Sequence, residues 1–182
     1  MTETRTLAAA LEREHRDIDG GIEEYTAALE AERDDPAPLL RSMSGLRRHI
    51  YLEETFLFPP LKETGTLTMP LMVMVREHGG LWDAMDAIEK QLADAVDAET
   101  RLAACRDLLA LLDRHNSKEE PIIYAKADDI LSAEATGELA TFLADGVMPE
   151  GWVCEKAGGA GGPAAGGAPG GRVAPPWASP RG

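Results

Sequence analysis

Apolar residues recur along this chain at three- and four-residue steps in four long stretches, the spacing of one buried face on an α-helix. In the first, Leu7, Leu11, His15, Ile18, Ile22, Tyr25 and Leu29 share a face, which predicts a helix from about Glu3 to about Arg33. Gly20-Gly21 weakens its middle, and Asp34-Asp35-Pro36-Ala37-Pro38 stops it. A second helix is predicted from near Pro38 to Pro59-Pro60, with Met43, Leu46, His49, Glu53 and Phe56 inward. Pro70 opens a third, whose inward face includes Leu71, Met74, His78, Leu81, Trp82, Met85, Ile88, Leu92 and Val96. The fourth carries Leu102, Cys105, Leu108, Leu112, His115, Glu119 and Ile122. Pro121 should kink or loosen that helix just past Glu119. Ser132, a good N-cap, starts a short fifth helix that reaches about Ala144.

The pattern predicts an all-α protein. An up-down-up-down four-helix bundle is expected over residues 1–130, with a short extra helix packed on it over 131–146 and a Gly/Ala/Pro-rich tail over 147–182. Residues 157–182 contain no acidic residue and little but Gly, Ala and Pro. Such a segment cannot bury enough apolar surface to offset its ordering entropy, so the tail is expected to be disordered. Trp152 and Trp177 are its candidates for docking on something.

Charge narrows the partners. A net charge of −14 leaves no basic stripe to neutralise phosphates, which excludes a nucleic-acid partner and disfavours an anionic membrane surface. No stretch approaches the ~18 consecutive apolar residues of a membrane span. The N-terminus lacks the apolar core of a signal peptide. Cys105 and Cys154 form no C-x-x-C pair, and Cys105 falls on an apolar stripe as a small buried hydrophobe. A cytoplasmic protein is expected.

The chemistry lies in the four histidines. His49 and Glu53 stand four residues apart on one helical face, and so do His115 and Glu119. At that spacing imidazole and carboxylate are neighbours and can converge on one point. His15 and His78 each occupy the inward face of a further helix. At ~1.5 Å of rise per residue, all four histidines fall within about two helical turns of one another in a bundle of alternating helices. Burying that many ionisable groups is very costly without a compensating cation. His15, His49, Glu53, His78, His115 and Glu119 are therefore the candidate metal ligands. Asp19, four residues after His15, is a candidate to orient it but is expected to be solvated. Glu54 and Glu120 follow ligands, ~100° round the helix, and are expected to be surface or supporting acids. Met74, Trp82 and Phe56 are candidates for dry walls of the site.

The order H, H-x-x-x-E, H, H-x-x-x-E resembles the hemerythrin-like HHE cation-binding domain. The words around the ligands match as well: His49-x-x-x-Glu-Glu-x-x-Leu57-Phe58-Pro59, Glu77-His78, and His115-x-x-Lys118-Glu119-Glu120-x-x-x-Tyr124. The likeness covers about residues 7–130. It implies an up-down-up-down bundle holding a non-haem di-iron centre, oxo- or hydroxo-bridged, with Glu53 and Glu119 linking the irons. Oxygen-carrying hemerythrins have H-x-x-x-H on the third helix, and the first of those positions is Met74 here. A thioether is a poor substitute for imidazole on iron. Positions are left open for a small ligand such as dioxygen, peroxide or nitric oxide, and redox chemistry or sensing gains over plain oxygen carriage. Iron storage or sensing without turnover is the alternative, and a metal-free helical interaction domain is the second.

Overall fold

The computed structural model describes residues 6–158. Every regular element among them is helical, so the all-α expectation holds. Helix α1 (Leu7–Glu30) starts at Thr6, whose hydroxyl accepts the N–H of Ala9 at 3.2 Å. Helix α2 (Ala37–Leu52) starts in the Pro-Ala-Pro turn, where missing N–H groups cost nothing. Thr68–Ala93 forms α4 and Ala98–Glu119 forms α5, the latter capped by Asp97, whose carboxylate accepts from Thr100 N–H at 2.9 Å. Helix α7 (Ala133–Asp145) is capped by Ser132 as expected, through the N–H of Ala135 at 3.1 Å.

The second and fourth stretches each contain a break in pitch. A five-residue π turn, Glu53–Leu57, follows α2 and leads into the short α3 (Phe58–Glu63). A second, Glu120–Tyr124, follows α5 and leads into α6 (Ala125–Ile130). The second helical stretch thus continues past Pro59-Pro60 instead of ending there. In the wide turn the N–H of Phe58 bonds back to the carbonyl of Glu53, and the prolines stand in the first turn of α3, where they have no partner to lose. Pro121 sits inside the second π turn, the loosening its position predicted.

Helix α1 packs along α2 and α5, and α4 packs along α5. Gly21 makes the α1–α2 contact close: a Cβ there would meet the Ser42 hydroxyl at 2.0 Å and the Pro38 carbonyl at 3.0 Å. The interior is divided into two apolar clusters. One is built on Ile18, Ile22, Met43, Leu46, Leu81, Met85, Leu108 and Leu112. The other is built on Leu11, Leu52, Leu57, Leu71, Met74, Ile123 and Tyr124. On α1 the boundary falls between Leu11 and Ile18, and on α4 between Met74 and Leu81. His15 and His78 lie at those boundaries.

Residues 147–158, expected to begin the tail, lie along the helices instead. Trp152 packs edge-on against Tyr51 at 5.0 Å and Trp82 at 5.6 Å between ring centres, and Cys154 is buried. Arg48 secures the entry to this strap, its guanidinium donating to the carbonyls of Phe142, Leu143 and Gly146 at 2.6–3.1 Å. The last-turn carbonyls of α7 gain partners in this way. Gly79 lets the strap approach, because a Cβ there would stand 2.4 Å from the Lys156 carbonyl oxygen. Trp177 lies outside the described residues. No helix among the described residues is long and apolar enough to cross a membrane.

Candidate metal centre

Between the two apolar clusters lies one polar layer. It brings together all six residues singled out by the histidine spacing. His15, His49, Glu53 and Glu119 offer atoms within 4.8 Å of one another, and so do Glu53, His78, His115 and Glu119. The two glutamates belong to both groups. All six side chains are buried, and Glu53, His78 and Glu119 have no exposure at all.

Each imidazole turns Nε2 toward the centre and Nδ1 toward a carboxylate outside it. His49 Nδ1 meets Glu14 at 2.7 Å, His78 Nδ1 meets Glu54 at 2.9 Å, His115 Nδ1 meets Glu77 at 3.2 Å, and His15 Nδ1 meets Glu120 at 2.9 Å. An acid on Nδ1 keeps the proton there, fixes the ring and leaves Nε2 free to bind. The four pairs form a closed ring. An acid of α1 holds the histidine of α2, one beyond α2 holds that of α4, one of α4 holds that of α5, and one beyond α5 holds that of α1. Glu14 is itself held by Arg48 at 2.7 Å, and Glu77 by Lys118.

Asp19 does not take part. Glu120 orients His15 in its place, and Asp19 Oδ1 is buried with no hydrogen-bond partner. Burial and the nearby acids Glu23, Glu120 and Asp113 push its carboxyl up to about 6. Met74 is fully packed in the apolar cluster one turn before His78, Trp82 lies in the other cluster, and Phe56 joins an aromatic group with Tyr51 and Phe142.

The electrostatics of the layer call for positive charge. Burial opposes protonation of His49 and His115, but Glu53 and Glu14 in one case, and Glu119 and Glu77 in the other, outweigh it and push both up to about 10. Three inward atoms make no hydrogen bond: Glu53 Oε2, His78 Nε2 and Glu119 Oε1. His78 Nε2 and Glu53 Oε2 are 3.2 Å apart but too poorly aligned to satisfy each other. Buried polar atoms are normally paired, so three orphans aimed at one space mark a place where a cation fits. Nitrogen and carboxylate oxygen are suitable donors for iron, and neither cysteine contributes to either group.

Three side chains at this layer were not assigned a role from the sequence. Glu14 and Glu77 sit immediately before His15 and His78, yet each serves a histidine on the next helix. Tyr124 places its hydroxyl against four of the inward atoms, with its ring 5.3 Å from His15 between centres. Burial, followed by Glu119 and Glu53, raises this phenol well above its ordinary range.

The model of the hemerythrin HHE cation-binding domain matches residues 6–127. The chain belongs to this family. It is also similar to three proteins described only as uncharacterized, one from Mycobacterium bovis and two from strains of Mycobacterium tuberculosis. Each is 26% identical over 128 residues, covering 64% of this chain and 50% of the relative. The chain therefore spans about half the length of the relatives it matches. No solved structure matches it. The HHE match covers the polar layer and every residue in the ring, from Glu14 to Glu120, and stops before α7 and the strap.

Proposed function

We propose that this chain holds two iron ions, linked by Glu53 and Glu119, and uses them to bind or reduce a small oxygen or nitrogen species such as dioxygen, peroxide or nitric oxide. The observation that carries this reading is the set of three orphaned atoms, Glu53 Oε2, His78 Nε2 and Glu119 Oε1, inside a layer with no other use for them. Under it, His15 and His49 serve one ion and His78 and His115 the other, in an up-down-up-down four-helix bundle of the cytoplasm. Iron supplies reversible electron transfer and Lewis acidity to whatever small ligand joins it.

The chain's own residues do the rest. The carboxylate ring holds four Nε2 atoms aimed inward, and the apolar clusters on both sides keep bulk water out. With each bridging carboxylate counted at both ions, the six residues supply roughly eight bonds against about twelve for two octahedral ions. Met74 adds no imidazole, so positions remain for an exogenous ligand.

A second reading is iron held and sensed without turnover. It is favoured by the strap, whose Glu155 N–H bonds at 2.9 Å to the same Glu54 carboxylate that orients His78. Anaerobic loading with ferrous iron, metal analysis, then oxygen or peroxide followed by absorbance separates these readings. Two irons and a spectral change that decays with repeated additions support redox use. Stable metal without turnover, with iron-dependent protection of the strap from protease, supports sensing. A colourless protein without iron, whose thermal stability a chelator leaves unaltered, removes both and leaves a metal-free interaction domain.

A further inference from the structure

Tyr124 is fully buried, and its hydroxyl oxygen lies 2.9 Å from His15 Nε2, 3.0 Å from His49 Nε2, 2.5 Å from Glu53 Oε1 and 3.2 Å from Glu119 Oε2. A phenol has one proton and two lone pairs, so three hydrogen bonds exhaust it. Four metal-binding side chains nonetheless converge on this one oxygen. They are the four members of the first group, the half of the layer built on His15 and His49. The second half differs. Phe58 stands nine residues after His49, just as Tyr124 stands nine after His115, and its ring stacks on His78 at 5.5 Å with planes 10° apart. A phenyl brings no oxygen, and the orphaned His78 Nε2 belongs to that half.

Resting on the di-iron reading above, we infer that Tyr124 is itself a ligand, giving its phenolate oxygen to the ion held by His15 and His49, and that the exogenous ligand enters at the ion held by His78 and His115. The hydroxyl is surrounded by that ion's donors, and its ring is anchored among the apolar residues of its cluster, so a cation drawn to those donors shares their space with this oxygen. Bond formation breaks the O–H bond, and the proton leaves to solvent as the oxygen–metal bond forms. The two ions are thereby unequal: one is closed by a fifth side chain, and the other faces only the hydrocarbon wall of Phe58.

The test is spectroscopic. The full chain is loaded with ferrous iron, oxidised in air, and examined by visible absorption and resonance Raman. The expected result is a phenolate-to-ferric charge-transfer band with enhanced tyrosine ring modes. Both should be lost in Tyr124→Phe and kept in Tyr25→Phe and Tyr51→Phe. Those two tyrosines are committed elsewhere, Tyr25 to Asp34 and Arg101 and Tyr51 to aromatic packing. Two bound irons without the phenolate signature overturn this inference and leave the di-iron reading intact. A signature that survives in Tyr124→Phe also overturns it. No bound iron at all overturns both. If Tyr124→Phe fails to fold, the wild-type spectrum alone decides.

Discussion

Glu54 and His78 are joined at 2.9 Å through Oε1 and Nδ1, while the other oxygen of the same carboxylate, Oε2, accepts the backbone N–H of Glu155 at 2.9 Å. One side chain thus ties a residue of the polar layer to the strap that runs outside it. Glu54→Ala removes both bonds. Loss of the acid behind a metal-binding imidazole weakens binding by about 10–100-fold. A competitive iron titration should show that loss at one ion, with protease cutting more readily between residues 147 and 158.

Gly79 isolates the strap from the layer. In Gly79→Ala the new methyl would meet the Lys156 carbonyl oxygen at 2.4 Å and its carbon at 2.8 Å, both backbone atoms, so the strap has to lift. The expected cost is about 1–3 kcal/mol by urea unfolding, as for an overpacked core, with iron stoichiometry kept. Gly80→Ala has nothing within 4 Å of the added carbon and serves as the control. It should be neutral or stabilise by about 0.5–1 kcal/mol, because alanine is the better helix former.

Asp19 gives a pH-dependent outcome with a definite sign. Its carboxyl keeps a proton up to about 6 in the folded chain but releases it near 3.8 when unfolded. Between those values the folded state binds more protons, so stability falls as pH rises from about 4 to 6 and stays lower above. Asp19→Asn removes the partly buried charge. It should gain about 1 kcal/mol at pH 7, a figure reduced for solvent screening at this half-buried site, and nothing at pH 4. Thermal melts at the two pH values check it.

His49→Ala and Glu119→Ala should each lower iron stoichiometry while most of the circular dichroism of the helices survives. Removing iron from the wild type should cost more than either leaves to lose. Ligand at 100- to 1000-fold excess over Kd stabilises by about 3–4 kcal/mol per site, which for a chain of this size is roughly 10 °C in Tm. A chelator that leaves Tm unmoved would show that these six side chains hold no metal.

The helical stretches and the six inward residues were legible because both are written at helical spacing: Leu11, His15 and Ile18 share a stripe, and His115 and Glu119 stand one turn apart. The ring of acids was half legible. Glu14, Glu54, Glu77 and Glu120 each adjoin a ligand in sequence, but which histidine each one serves depends on which helix lies alongside, and spacing within one helix carries no information about that. The place of Tyr124 at the layer was hidden for another reason. Nine residues after His115 on an unbroken α-helix is about half a turn from the inward face. The π turn between them absorbs one residue and brings the ring back. Trp152 stood out as a residue that could dock, but the path of residues 147–158 was hidden because their apolar residues follow neither a helical nor a strand period and are interrupted by Pro149 and Gly151.

The two π turns also set a rule about length that no substitution reveals. Glu53–Leu57 and Glu120–Tyr124 each carry one residue more than the α-helical turn they replace. Loss of a single codon among residues 55–57 or 122–123 would leave every side chain of the layer present in the gene. Downstream, however, Phe58 or Tyr124 would swing by ~100°, and a proline would land inside an uninterrupted helix. Deletion in these turns therefore disrupts the site even where no site residue is lost, and the count of residues there is as much a part of the site as their identity.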